Sequence, residues 1–403
     1  MNLWCTLMYL SRIEEKMLSG EYGEAIQLAM KILVKVGESL GAERLVEVNH
    51  VHISGVSYSN IGDPGLRFIE KLAEIGGSFR VFTTVNPTCI DLFGKTDIFS
   101  KDLIAGQMRI ISALEKMGAE PTYTCIPYSI RKPLPNEHLA WGESNAVAMA
   151  NSYYGARTNR EGGPLTIASA LTGRTYYAGL HILENRDVKY RVKIEYKVVD
   201  EAEASILGLY IGDKINGIPL VENAETWNFY MIKEFLASAA ATGNHALIVL
   251  DNITPRDTYI IGHSIENILI DQREIKNLYN KYSSTPDISG KTLVYIGCPH
   301  LSVGELRHVA NMISKYESVK ENVFFLITVP YSFTSEIERY VEILRSKGVI
   351  VAYGTCPIVS KFKDKPDKVL TNSGKALFYL SKLHGLEVSL LGLKDIIRRV
   401  MTQ

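Results

Sequence analysis

Apolar residues recur along this chain with two periods, and the switching between them predicts its architecture. Ser11 followed three residues later by Glu14 has the spacing of a capping box, which predicts a short first helix ending near Gly20. Ile26, Ala29, Met30, Leu33, Val36 and Leu40 then fall on one face of a second helix, and Gly41 stops it. From there extended and helical patterns alternate. "RLVEVNHVHIS" reads as a strand, "DPGLRFIEKLAEIGG" as a helix opened by Pro64, "FRVFTTV" as a strand, "DLIAGQMRIISALEKMG" as a helix and "PTYTCIPY" as a strand. Such a βαβαβ run predicts parallel α/β layers.

A Pro-rich connector, "PYSIRKPLPNEH", leads to a predicted helix from Leu139 to Tyr154 and a middle region with the strand "VKYRVKIEYKVV". That region closes on the helix "WNFYMIKEFLASAAATG" and the strand "HALIVLD". Near Lys291 a third unit begins, in which "TLVYIG", "NVFFLITV" and "GVIVAYG" are apolar strands separated by helical segments, a doubly wound pattern. The expectation is therefore an α/β chain of three units, residues 1–133, 134–286 and 287–403, without internal repeats.

Composition narrows the partners. With 403 residues and 46% apolar content there is enough chain for two or three domains with real cores. Lys plus Arg and Asp plus Glu both number 44, in no long block of one sign, so neither nucleic acid nor an anionic membrane surface is an expected partner. The longest apolar-looking stretch, Phe235 to Leu250, contains Gly243, Asn244 and His245 and falls short of the roughly 20 residues that cross a bilayer. "MNLWCTLMYLS" lacks the basic start and cleavage site of a signal peptide, and a start at Met8 would leave the residues before it as an extension. Five cysteines, thinly spread, fit a reducing cytoplasm better than a disulfide framework.

Three of those cysteines share one setting. Cys125 in "TYTCIPY", Cys298 in "VYIGCPHLS" and Cys356 in "VAYGTCPIV" each follow a predicted parallel strand, at the edge where open α/β sheets bind ligands. Together they would suit an iron–sulfur cluster with one iron left open to substrate; singly, each could equally be a small buried hydrophobe. Cys89 in "VNPTCID" is a reserve candidate, and Cys5 reads as incidental. "GVSYSNIGDPG" is either an anion-holding loop at a helix start or a plain turn capped by Asp63. His300 could serve the site or only pack, and His308 reads as a packing or surface residue.

The loop "YYGARTNREGGP" sets two arginines, an asparagine and a glutamate within five residues, just after a helix of small residues. A buried guanidinium must be paired. Arg157 and Arg160 either form an ion network with Glu143, Glu161 or Glu184, or clamp a carboxylate or phosphate, for which the guanidinium fork is suited.

"GARTNREGGP", with "EHLAWGESNAVAMANS" before it and "GLHILENR" after it, resembles the aconitase X family, as do "HVHISGVSYSNIGDPGLRFIEKLA", "TTVNP", "GCPHLS" and "GTCP". The likeness runs from about Met8 to the C-terminus. It implies three α/β/α units with doubly wound sheets around a central inter-domain active site, like the first three domains of aconitase. It also implies an iron-dependent hydro-lyase, and names Cys125, Cys298 and Cys356 as ligands of an iron–sulfur cluster (4Fe-4S), with a smaller cluster or a single iron as alternatives. Family members often carry a small residue at the position of Cys89, which leaves that thiol out of the ligand set.

The resemblance carries the expectation that the swivelling domain completing the family's site is not part of this chain. Among unfused large chains the resemblance implies a separate small subunit, in a heterodimer or higher assembly, and dehydration of 5-phosphomevalonate. Arg157, Asn159 and Arg160 are the implied catalytic residues. Gly55, Ser57, Tyr58, Ser59, Asn60, Asn86, Glu143, Ser144, Asn185 and Arg186 are the implied substrate contacts. The proton acceptor is then a serine on the swivelling domain, so the chain alone should be inactive. The competing expectations are a hydroxyproline dehydratase of the same family and an anion-binding protein without catalysis.

Overall fold

The computed structural model describes residues 8–93, 99–286, 288, 290–360 and 364–403. The N-terminal extension with Cys5 lies outside them. The capping box forms as the spacing predicts: Glu14 N–H donates to Ser11 Oγ, and Ser11 N–H donates to the Glu14 carboxylate at 2.8 Å. The helix Arg12–Ser19 ends on Gly20 at φ 95°, and Glu24–Ser39 buries Ala29, Met30 and Leu33 on its inner face.

"RLVEVNHVHIS" is two strands rather than one. Leu45–Glu47 pairs antiparallel with Arg174–Tyr176, and its burial fades from Leu45 to an exposed Glu47. His50–Ile53 is buried on both faces at the centre of a parallel sheet, between Phe82–Val85 and Ala140–Trp141. The third strand is therefore not "PTYTCIPY". Tyr123 sits at φ 35° and Pro127–Ser129 coils into a tight turn, which breaks the extension that period alone suggested. The helix expected from Leu139 starts only at Ser144, because its first residues supply the strand Ala140–Trp141 and Glu143 caps Ser144–Ser152. The helix opened by Pro64 forms as expected; a short helical turn over residues 58–61 precedes it across a break at Gly62 (φ 52°, ψ −160°), the two together spanning Tyr58–Glu74.

The middle sheet runs Val249–Leu250, Ile218–Val221, Asp187–Ile194, Ile260–Ile270, all parallel; the second and fourth of these strands were not legible in the sequence pattern. Its helices Glu201–Lys214 and Phe229–Gly243 cross so closely that a Cβ on Gly208 would stand 2.2 Å from the Phe235 carbonyl. The second of these helices also packs on Ser144–Ser152 and on Gly374–His384, so the middle unit buttresses both of its neighbours.

The third sheet is doubly wound as expected. Its strands lie in the order Ile350–Tyr353, Val323–Val329, Thr292–Ile296, Lys368–Thr371, Val388–Leu390. The order reverses between Thr292–Ile296 and Lys368–Thr371, and such a switch point opens a crevice at the strands' carboxyl ends. No helix among the described residues is long and apolar enough to cross a membrane.

Candidate active site

A cavity of about 310 Å³ lies between the carboxyl ends of the first and third sheets. In the first unit, Ser54–Ser57 follow His50–Ile53, Asn86 and Pro87 follow Phe82–Val85, and Gly142–Ser144 follow Ala140–Trp141. In the third unit, Cys298 and Lys375 flank the switch point, one after each of its two strands, and Cys356 follows Ile350–Tyr353. Backbone bonds clamp the two units together beside it. Thr88 N–H donates to Gly354 O at 2.8 Å and Cys356 N–H to Thr88 O at 3.1 Å, which fixes Cys356 against the first unit. Among the described lining residues none comes from the middle sheet unit.

Two helices of eight residues or more begin at this cavity: Glu143 caps Ser144–Ser152 through Asn145 N–H, and Ser373 caps Gly374–His384 through Ala376 N–H. Their amino ends give the space a positive field. Inside it, Lys375 Nζ bonds Glu143 Oε1 and donates to Ser144 Oγ at 3.1 Å, while Asn86 Nδ2 donates to Glu143 Oε2 at 3.1 Å. Burial works against the Glu143 charge, yet Lys375, Asn86 and Arg160 hold its pKa down to about 2. Burial also penalises the Lys375 ammonium, and the attraction of Glu143 and nearby Cys298 outweighs this and raises its pKa. The pair is thus fully charged at neutral pH.

Cys125, Cys298 and Cys356 all line the cavity. Burial pushes the Cys125 thiol up to about 12 and raises the other two, with Lys375 pulling against it in each case. Among the described residues no three His, Cys, Asp or Glu side chains stand close enough to share a single metal ion. Three thiols around one cavity, two buried and Cys356 half-buried, beside an ammonium that would offset thiolate charge, are a donor set that fits a multi-iron cluster better than a lone ion. His300 completes this wall: its N–H reaches Cys125 Sγ at 3.2 Å, its Nε2 lies 2.8 Å from Thr355 O, and its buried Nδ1 has no partner.

Residues 7–184, 188–280 and 291–402 match the family models described as aconitase X first, second and third domain. The chain belongs to the aconitase X family. It is similar to the phosphomevalonate dehydratase large subunit of Aeropyrum pernix, 39% identical over 95% of this chain and 97% of that one. The phosphomevalonate dehydratase large subunit of Thermococcus kodakarensis is 35% identical over 97% and 99%. A cis-3-hydroxy-L-proline dehydratase of Pseudomonas aeruginosa is 29% identical over 95% of this chain, but over only 68% of its own length. The crystal structure of Thermococcus kodakaraensis aconitase X in its holo-form superposes with a TM-score of 0.88 at 34% identity, covering 98% of this chain and all of that one.

Of the residues that the aconitase X resemblance implies for the site, Gly55, Ser57, Asn60, Asn86, Glu143, Ser144 and Arg160 line the cavity with the three thiols. Arg160 is exposed at the rim and bonds Asn244 Oδ1 at 2.6 Å, rather than lying in the interior. The others are not brought there. Arg157 bonds Asn136 Oδ1 and His181 O; Asn159 bonds Ala178 O and Leu180 N–H; Asn185 is held to Gly179 O. Tyr58 OH donates to Asp63, and Ser59 Oγ bonds Ser57 and Val359 O. Cys89 is fully buried, its Sγ 3.1 Å from Gln107 Oε1 and apart from the cavity.

Arg186 is fully buried with its guanidinium among the Thr258, Ala156, Leu180 and Asn151 oxygens. It ties the loop's base to the middle unit and touches no cavity wall. Arg186→Met should therefore destabilise the fold by about 3–5 kcal/mol, the cost of stranding buried acceptors around a lost charge. Urea unfolding would measure this, and activity per folded molecule should be unchanged.

Sequence reasoning missed Lys375. It stands two residues past Ser373 in "TNSGKALF", a stretch in which the sequence pattern marked neither an element nor a site. The available signal was its place after the fourth strand of a doubly wound unit, on the far side of the switch point from Cys298.

Proposed function

We propose that this chain is the large subunit of a hydro-lyase that dehydrates (R)-5-phosphomevalonate to trans-anhydromevalonate 5-phosphate in an archaeal-type mevalonate pathway. Cys125, Cys298 and Cys356 would hold an iron–sulfur cluster, and a separate small subunit would complete the site. The observation that carries the substrate class is the charge of the cavity. Its charged described lining residues are Lys375, Arg160 and Glu143, and Glu143 is already engaged by Lys375 and Asn86. Helix amino ends add to that positive balance. An anionic hydroxy acid finds cations and N–H donors there, whereas the ammonium of a hydroxyproline finds no free carboxylate.

The chemistry removes a proton from the carbon beside the carboxylate and expels the tertiary hydroxyl from the next carbon. When bound, the cluster's open iron supplies a Lewis acid for that hydroxyl. Lys375 and Asn86 bind and orient the carboxylate, and by drawing its charge they make the neighbouring C–H more acidic. Ser57 and Ser144 offer hydroxyls on the same wall, and Arg160 at the rim meets the phosphate as it enters. The proton acceptor is assigned to the small subunit, as a serine. Free thiols at such a centre are suited to the reducing cytoplasm.

The test is anaerobic co-purification with the small subunit, then assay of 5-phosphomevalonate and cis-3-hydroxyproline. Turnover of the first, and loss of at least ~100-fold when the small subunit is omitted, is expected. Equal rates from the isolated, iron-restored chain would overturn the assignment of the proton acceptor, and preference for hydroxyproline would overturn the substrate.

A further inference from the structure

A file of hydrogen bonds runs from the cavity wall back into the first sheet, and its direction can be worked out atom by atom. Glu143 is ionised and can only accept, so Asn86 must turn its amide nitrogen to Glu143 Oε2, 3.1 Å away. Asn86 Oδ1 then faces His52 Nε2 at 3.3 Å. An amide oxygen cannot donate, so His52 Nε2 carries the ring proton and Nδ1 is bare. His52 is fully buried, and desolvation keeps it neutral, its pKa lowered to about 4.

The bare Nδ1 accepts from Thr84 Oγ1 at 2.8 Å, a shorter contact than the 3.4 Å from that hydroxyl to Val51 O. With the threonine proton spent, His50 Nε2, 3.0 Å from the same oxygen, must be its donor. That leaves His50 Nδ1 as the bare nitrogen at the end of the file. It is the one buried ring nitrogen of this pair with no partner, which is where the polarity argument puts a group without a hydrogen. An unpaired bare nitrogen is cheaper to bury than an unpaired N–H.

We propose that His52 is a positioning residue: it locks the Asn86 amide so that the second Nδ2 hydrogen is presented to the cavity, selecting a substrate group that can only accept. Asn86 lines the cavity, and beside it Lys375 is likewise donor-only. The matching group is an acceptor-only oxyanion, which the functional reading above makes the carboxylate. This deepens the functional reading above and rests on it for the identity of the substrate.

In the two-chain holoenzyme, His52→Phe should raise KM about tenfold with kcat within about threefold, since one buried hydrogen bond to the orienting oxygen is lost. His52→Gln, whose amide can still donate to Asn86 Oδ1, should recover most of that. In an Asn86→Ala background His52→Phe should add nothing further; an equal additional rise in KM would overturn the proposal, because the imidazole would then act by another route. A second readout does not depend on the substrate. In ¹⁵N-histidine spectra of the wild-type complex, the signal lost in His52→Phe should be that of a neutral Nε2–H ring at neutral pH. A Nδ1–H ring would overturn the proposal even if the substrate assignment stood, and a complex inert toward 5-phosphomevalonate with the expected ring form would fault the substrate alone.

Discussion

Lys375→Met should cut turnover by about 10³-fold or more and, in the same step, remove the negative charge from the cavity. A donor aimed at developing charge in a closed site is worth about 10²–10³ in rate, and Lys375 additionally maintains the ionised Glu143. Without it, burial dominates the Glu143 carboxyl and its pKa moves up instead of down. The two states give opposite pH dependence. In the wild type the folded pKa of about 2 lies below the ordinary 4.5, so this group's stabilising contribution is complete above about pH 5 and is lost as pH falls through 2. In the variant the folded pKa lies above the ordinary value, so stability is best in acid and declines as pH rises past the ordinary carboxylate range. Urea unfolding at about pH 5 and pH 8 would measure the change of slope, with a loss at pH 8 of about 3–5 kcal/mol for a broken buried pair. Lys375→Met combined with Glu143→Gln should recover most of that stability and none of the turnover. Recovered activity would mean the pair is structural.

The same pair explains what the sequence could and could not tell. Strand and helix periods located three strands of the third sheet, Thr292–Ile296, Val323–Val329 and Ile350–Tyr353, because they read as continuous apolar runs, but missed the shorter Lys368–Thr371 and Val388–Leu390. They failed around Cys125, where Tyr123 at positive φ and Pro127 turn an apolar stretch into a loop, and where the partner strand Ala140–Trp141 is too short to have a period. The carboxyl-edge argument holds for Cys298 and Cys356, which follow real strands, while Cys125 reaches the cavity from a loop; it was the family resemblance that chose among five cysteines. It was weakest on charge. Arg157, Arg160 and Arg186 look alike in a string of letters, yet one braces a loop, one stands at the rim and one is sealed among backbone carbonyls. Which cation meets the cavity depends on strand order, and the reversal between Thr292–Ile296 and Lys368–Thr371 brings Lys375 there from 232 positions beyond Glu143.

Cys298→Ser should leave the two-chain complex folded but empty of iron and without detectable turnover. Cys298 is 4% exposed, and its carbonyl is bonded by the Ser373 hydroxyl that also caps the helix bearing Lys375. A serine keeps that backbone contact and nearly the same volume, so thermal unfolding of the metal-free forms should coincide with wild type. What changes is the donor: a hydroxyl in this dry setting binds iron far more weakly than a thiolate. Cys125→Ser and Cys356→Ser should behave alike, since all three line one cavity. Cys89→Ser is the control, expected to retain iron and activity because that thiol contacts Gln107 rather than the cavity. Counting iron together with acid-labile sulfide in the wild-type complex separates the forms of the centre. No three donors among the described residues are near enough for a single ion, so iron and sulfide should appear in equal, multiple equivalents. One iron without sulfide would sink the cluster and require the three thiols to close in on a lone metal.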